Sequence, residues 1–215
     1  MRVAGVPKTQ TLEGRWVRLE PLSARLHAHA IWKSLLGHDV VWDWLGDGPY
    51  VCEGDLAEAL AAKEIGDGVM FFAILPKLVS GVTEGAAGYA SYMRIDAANG
   101  VLEIGNVMFS PGLQRTRAAT EAMYLMARHV FEDLGYRRYE WKCNVLNLPS
   151  RRAALRLGFT FEGIFRQHMM IKGKNRDTAW YSMLDGEWPE RKRAFEAWLA
   201  AENFDAQGRQ LQALR

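Results

Sequence analysis

The spacing of apolar positions changes several times along the chain, and each change marks an element. From Leu12 to Glu20 the period is two. Val17 and Leu19 fall on one side and Trp16, Arg18 and Glu20 on the other, so a half-buried strand is expected, stopped by Pro21. Ser23 stands where an N-cap belongs, ahead of a helix carrying Leu26, Ala30, Ile31 and Leu35. A second helix is predicted from Asp55 to Ile65, closed by Gly66. Val69–Leu75 is an almost continuous apolar run, consistent with a strand buried on both faces. Ala86–Ile95 gives the next strand, and Asp96-Ala97-Ala98-Asn99-Gly100 the tight turn after it.

The stretch from Gly100 to Gly158 organises the rest. A strand is expected at about 101–109, ended by Ser110-Pro111-Gly112. Leu113 to Ala122 leads into a helix whose core stripe is Ala119, Ala122, Met123, Met126, Val130 and Leu134, with Gly135 as its stop. Residues 138–145 form a second strand, with Tyr139, Trp141, Cys143 and Val145 on one face and Glu140, Lys142 and Asn144 on the other. Asn147-Leu148-Pro149-Ser150 opens a short helix that Gly158 ends. A hairpin follows, Thr160–Ile171 and Asp177–Leu184 around a turn at 172–176. The last helix, Pro189–Ala201, carries Phe195, Trp198 and Leu199. Residues 1–10 read as a loose arm and the last dozen as a polar, loose tail. The order of elements predicts an α+β fold with a mixed central sheet, in a single domain over 1–215.

Composition narrows the classes. With 215 residues and 49% hydrophobic content, the chain has enough apolar material for a sizeable core. Its net charge of +2 gives no global pull on nucleic acid. Two cysteines, Cys52 and Cys143, form no disulfide framework and suit a reducing cytoplasm. No apolar run approaches the ~18 residues of a membrane span, and the first residues lack a signal core. None of the five histidines has metal-ligand spacing, so no metal is expected.

A strand that runs straight into a helix start makes an anion site, because the first helical N–H groups lack partners and the dipole is positive there. The turn Gln114–Ala119 offers such groups, together with Arg115 and Arg117. A di- or polyphosphate is the natural ligand.

These residues resemble the GNAT N-acetyltransferases, and within them the RimJ/RimL-like branch. That family carries Gln/Arg-x-x-Gly-x-Gly/Ala before Ala-Thr-Glu-Ala. Here Gln114-x-x-Arg117-x-Ala119 precedes Thr120-Glu121-Ala122. Glu103-Ile104-Gly105, Asn144-x-x-Asn147-x-x-Ser150 and Leu157-Gly158-Phe159-x-x-Glu162-Gly163-x-x-Arg166 also fit, and the likeness covers roughly 11–185. Arg117 departs from the pattern, standing where the family usually has Gly.

The resemblance implies acetyl-CoA as co-substrate, an amine acceptor, direct attack in a ternary complex, and a sheet splayed between its fourth and fifth strands. Room is left for a homodimer. Backbone at Val107 to Phe109 would hold the pantetheine arm. The turn residues Gln114, Arg115, Thr116, Arg117, Ala118 and Ala119 would hold the pyrophosphate, and Asn147 either caps its helix or touches the coenzyme. Glu103 is the candidate base, placed among apolar neighbours where burial favours a neutral carboxyl, with pairing to a nearby Arg as the structural alternative. Ser150 is the candidate acid for the departing thiolate, or simply part of a helix start. Cys143 reads as a buried core residue rather than a nucleophile. The aromatic loop Val41–Tyr50 either walls a substrate pocket or covers the core.

Basic residues at Arg115, Arg117, Arg137, Arg138, Arg151, Arg152, Arg156, Lys172, Lys174 and Arg176 suggest a phosphate-binding cluster. Three readings compete with an acetyltransferase. A succinyl-CoA or other acyl-CoA enzyme fits the same sequence. A non-catalytic acyl-CoA sensor draws support from Arg117. A nucleic-acid binder is disfavoured by the acidic residues interleaved throughout.

Overall fold

A computed structural model describes residues 4–78 and 80–214. In chain order the elements are β1 (Leu12–Glu13), β2 (Val17–Pro21), α1 (Ala24–Leu35), α2 (Glu53–Glu64), β3 (Met70–Pro76), β4 (Gly88–Asp96) and β5 (Val101–Phe109). After them come α3 (Arg117–Arg128), β6 (Arg138–Asn144), α4 (Leu148–Arg156), β7 (Thr160–Ile171), β8 (Lys174–Leu184) and α5 (Trp188–Leu199). The eight strands form one sheet in the order β1-β2-β3-β4-β5-β6-β8-β7. Every neighbouring pair is antiparallel except β5 and β6, which are parallel and joined through α3. The expected α+β architecture with a mixed sheet is therefore observed. The first predicted strand is divided by a turn at 14–16, so the fourth and fifth strands of the sequence reading are β5 and β6.

Alternation along β5 and β6 builds the two layers. Leu102, Ile104, Tyr139, Trp141 and Cys143 join Ala119, Ala122, Met123 and Met126 of α3 in one buried cluster. On the opposite face, Ile31 and Leu35 of α1 and Leu56 and Leu60 of α2 pack on Phe71, Ala73, Leu75, Tyr89 and Met108. The α3 stripe is as predicted, but the helix widens into a π turn at His129–Asp133 before Gly135.

Several expectations change. The arm is docked over its described part: Gly5 N–H donates to the Leu134 carbonyl at 2.8 Å and Ala4 is buried, while residues 1–3 lie outside the described residues. The tail is also docked. Trp198 Nε1 donates to Gln210 Oε1 at 2.8 Å and Leu214 is buried; residue 215 lies outside the described residues. Short-range polarity hid both anchors, because their partners are distant in sequence. Ser23 makes no side-chain cap; instead its N–H donates to His27 Nδ1 at 3.0 Å. Leu26 is exposed, and the buried stripe of α1 is His27, Ala28, Ile31 and Leu35. The hairpin turn is shorter than expected. Asn175 and Arg176 pair with Met170 and Met169, so β8 starts at Lys174.

Gly88 lies opposite Phe109 at the end of β5, and a Cβ built on it would press into the Met108 carbonyl oxygen. That neighbour is backbone, so it yields only if the strands move apart. Gly88→Ala is expected to destabilise the protein by about 1–3 kcal/mol, read as a lower urea midpoint with an unchanged slope.

Candidate active site

The parallel pairing of β5 and β6 runs from Val101↔Arg138 to Ile104↔Trp141 and stops. Beyond it, β5 continues to Phe109 against β4 alone, and β6 continues to Asn144 against β8 alone. The sheet is therefore open between Gly105–Phe109 and Lys142–Asn144, which frees backbone groups on the inner edges. Val107 and Phe109 lie on this open run of β5, both partly buried.

The opening leads to the start of α3. Thr116 is the N-cap: its Oγ1 accepts from Ala119 N–H at 3.1 Å, and its hydroxyl donates to the Leu113 carbonyl at 2.7 Å. Arg117 and Ala118 are the first two helical residues, so their N–H groups have no intrahelical partner. Arg115 takes φ +62°, which turns the chain sharply into the helix. Gln114 Nε2 donates back to the Phe109 carbonyl at 3.0 Å, tying the turn to the end of β5. The turn thus offers a cradle of backbone donors suited to an anion.

Arg117 is not part of that cradle by its side chain. Its guanidinium carbon lies 4.4 Å from the centroid of Trp16 and 4.1 Å from that of Phe204. It is held between two rings, one from the N-terminal segment and one from the C-terminal tail. The expected basic cluster is likewise dispersed. Arg137 donates to the Asn99 carbonyl, Arg138 pairs with Glu140 and Glu162, and Arg151 donates to Tyr181 Oη. Arg156 stacks on Trp198, and Lys172 donates to the Trp42 carbonyl. Sequence adjacency placed these cations together, but strand and helix geometry gives them separate partners, with only Arg117 and Arg156 among those named meeting at one aromatic pair, Phe204 and Trp198.

Glu103 is buried, yet its surroundings are not apolar. Oε2 takes Arg94 Nη1 at 3.0 Å and Lys142 Nζ at 2.9 Å. The Lys142 side chain, only 3% exposed, also contacts Glu140 Oε2 at 2.6 Å, and the centroid of the Trp180 ring lies 3.8 Å from its ammonium. Arg94 is the arginine partner the sequence reading allowed for Glu103, whereas Lys142 was missed because it lies far from Glu103 along the chain. Both cations bind the same oxygen. The other, Oε1, lies beside Gly105, the first residue beyond the parallel pairing.

Ser150 sits on the opposite face. Its Oγ accepts from Trp141 Nε1 at 3.0 Å, and its N–H donates to Asn147 Oδ1 at 3.0 Å. Asn147 is therefore the cap of α4. The indole fills one lone pair of the Ser150 oxygen, and the hydroxyl also lies within hydrogen-bonding reach of the Cys143 sulfur. Burial pushes the Cys143 thiol up, which suits a core residue. The aromatic loop covers the core through Trp42, whose ring meets Tyr50 edge-on at 5.0 Å, while Trp44 is 41% exposed.

Comparison with known proteins agrees with this geometry. An acetyltransferase (GNAT) domain matches residues 17–160. A GCN5-related N-acetyltransferase from Brucella melitensis is 48% identical, with a TM-score of 0.92 over 97% of this chain and 93% of its own. A provisionally named GNAT-family acetyltransferase from Chromobacterium violaceum is 40% identical, with a TM-score of 0.81 over 88% of this chain and 93% of its own. A Bacillus subtilis protein with the provisional name ribosomal N-acetyltransferase YdaF is 30% identical over 105 residues. That alignment takes in 49% of this chain and spans 57% of the relative.

Lys142→Met leaves two buried carboxylates short of a cation and is expected to cost about 3 kcal/mol in urea denaturation. Adding Glu103→Gln should recover part of that loss, and no recovery would place the cost elsewhere. Arg117→Gly should speed amide exchange across 204–214 while changing CoA affinity less than twofold by calorimetry. A large fall in affinity would return the guanidinium to the coenzyme.

Proposed function

Because the chain belongs to the GNAT acetyltransferase family, we propose that it transfers an acetyl group from acetyl-CoA to a primary amine by direct attack in a ternary complex. The observation that carries this reading is the parting of β5 and β6 after Ile104 and Trp141, in line with a capped helix start. Open strand edge and free helical N–H groups are complementary to a pantetheine amide chain and a pyrophosphate respectively. The thioester supplies an activated acyl group. The chain's residues supply position and proton control.

Glu103 and Ser150 stand on opposite faces of the sheet, on either side of the opening. In this proposal the amine approaches from the Glu103 face. Oε1 takes up the amine proton, directly or through one water, while Arg94 and Lys142 hold Oε2 still. As the C–N bond forms and the C–S bond breaks, Ser150 on the α3 face donates a hydrogen bond to the departing thiolate, with Trp141 fixing the oxygen. Asn147 acts by capping α4 and so placing Ser150. Among the described residues no helix is long and apolar enough to cross a membrane, and a cytoplasmic enzyme is the setting we propose. The relative's provisional name makes a protein N-terminus one candidate acceptor beside small-molecule amines.

The test is an acceptor screen with acetyl-CoA and succinyl-CoA, following thiol release. Acetyl-CoA should be consumed with a primary amine and succinyl-CoA should not. With a turned-over acceptor in hand, Ser150→Ala should lower kcat about 10²-fold or more at every pH, with CoA affinity nearly intact. Glu103→Gln should lower it most below the acceptor's own pKa. A folded Ser150→Ala protein with full turnover would restrict the hydroxyl to the helix start.

A further inference from the structure

The face of the sheet that carries Glu103 is bordered by two projecting segments. One is the loop after α1, and the other is the β7–β8 hairpin, which meets it where Lys172 Nζ donates to the Trp42 carbonyl at 2.9 Å. Within this recess Arg176 occupies the first turn-proximal part of β8 and is partly buried. Its Nε donates to Thr178 Oγ1 at 3.2 Å. Thr178 is fully buried, and the same oxygen lies 3.0 Å from His168 Nδ1. Arg176 is therefore fixed by a rigid neighbour, with its two terminal nitrogens left over.

Those nitrogens have no counter-ion. Among the described residues no carboxylate lies within 4 Å of the Arg176 guanidinium, whereas Arg138, Lys142, Lys63 and Arg94 each have at least one. Burial pushes the Arg176 pKa down, the mark of a cation short of both water and partner. The Glu103 carboxylate on the same face offsets part of this without contacting the guanidinium. Arg94, held at φ +49° and 41% exposed, spends one nitrogen on Glu103, and its charge opposes that of Arg176. Burial first, then Arg94, Arg176 and Lys142, push the His168 pKa down, with Glu103 alone acting the other way. A bare ammonium or polyamine brought to Glu103 would enter a recess already in cationic excess.

We propose that the acceptor carries a carboxylate beside its amine, and that Arg176, with the free nitrogens of Arg94, receives that carboxylate while Glu103 faces the amine. The proposal rests on the acetyltransferase reading above. A guanidinium presents paired N–H groups that match a carboxylate's two oxygens, and Thr178 fixes the plane of this one through Nε. The substrate class is an amino acid or a short acidic peptide. Phe165 and Trp180, stacked at 4.4 Å beside His168, give the recess an apolar wall for its carbon chain.

The experiment compares acceptors matched except for the anion: β-alanine with β-alaninamide, glycylglycine with its amide, and spermidine as a polyamine. Acids are expected to exceed their amides at least tenfold in kcat/KM. Arg176→Gln should remove that preference by raising KM for the acids, leaving the amides within twofold, and Arg176→Lys should fall between. Equal use of acids and amides, or preference for spermidine, overturns the proposal while leaving the acetyltransferase reading in place. A second arm does not need turnover. N-acetyl-β-alanine should shift the His168 imidazole resonances saturably, N-acetyl-β-alaninamide should not, and Arg176→Gln should abolish the shift. Absence of any shift in the unmodified protein overturns the proposal. Calorimetry with acetyl-CoA separates the two ideas: no acetyl-CoA binding would fell the acetyltransferase reading, whatever the carboxylate titration gives.

Discussion

A buried ammonium at the point where two strands part is the interaction on which the site depends. Lys142 follows Trp141, the last β6 residue to pair with β5. It reaches back to Glu103 on β5 and to Glu140 on its own strand, under the ring of Trp180. A charge this deep is tolerated because two carboxylates and an aromatic face replace its water. The arrangement fixes one oxygen of Glu103 and leaves the other beside the opening. It also continues outward: Arg138 joins Glu140 to Glu162, which carries the network to the edge strand β7.

The start of α3 is held by a second buried carboxylate. Glu121 accepts from the N–H groups of Arg15, Trp16 and Val17 at 3.0, 2.6 and 3.0 Å. Burial nonetheless pushes its pKa up, against the three N–H groups that favour the ionised form. A Cβ on Gly14 would meet Glu121 Oε2 at 2.5 Å, so any larger residue there would have to displace the carboxylate from its three N–H donors. Trp16 is thereby brought within reach of Arg117, and Phe204 closes the stack from the other side. The residue that departs from the family pattern thus gains a structural partner on each side, and the backbone N–H groups of the turn stay with the turn.

The two faces of the opening differ in kind. On the α3 face a neutral pair, Trp141 and Ser150, offers one oriented hydroxyl. On the other, fixed charges crowd around Glu103 and Arg176. Under the acetyl transfer proposed above, that division suits a thiol leaving on one side and an amine that brings its own anion arriving on the other.

The sequence by itself determined most of the scaffold. A period-two run gave β6 with its faces correctly assigned, an apolar run ended by Ser110-Pro111-Gly112 gave β5, and the 3.6-residue stripe gave α3, because burial imposes such patterns locally. The motif residues located the turn at Thr116 and the cap at Asn147, since both bonds span only three residues. What tertiary structure decided was every contact between residues remote in the chain. Nothing near Glu103 in sequence announces Lys142, 39 positions away by number, or its shared oxygen with Arg94. Runs of arginine looked like one phosphate site, yet alternating strand faces and helical turns parted them. The arm, the tail and Arg117 found their partners only once the sheet had brought Trp16, Leu134 and Phe204 beside them. Local periodicity records which face is buried; it carries no record of which charge will lie opposite, and that is fixed by strand register across the folded sheet.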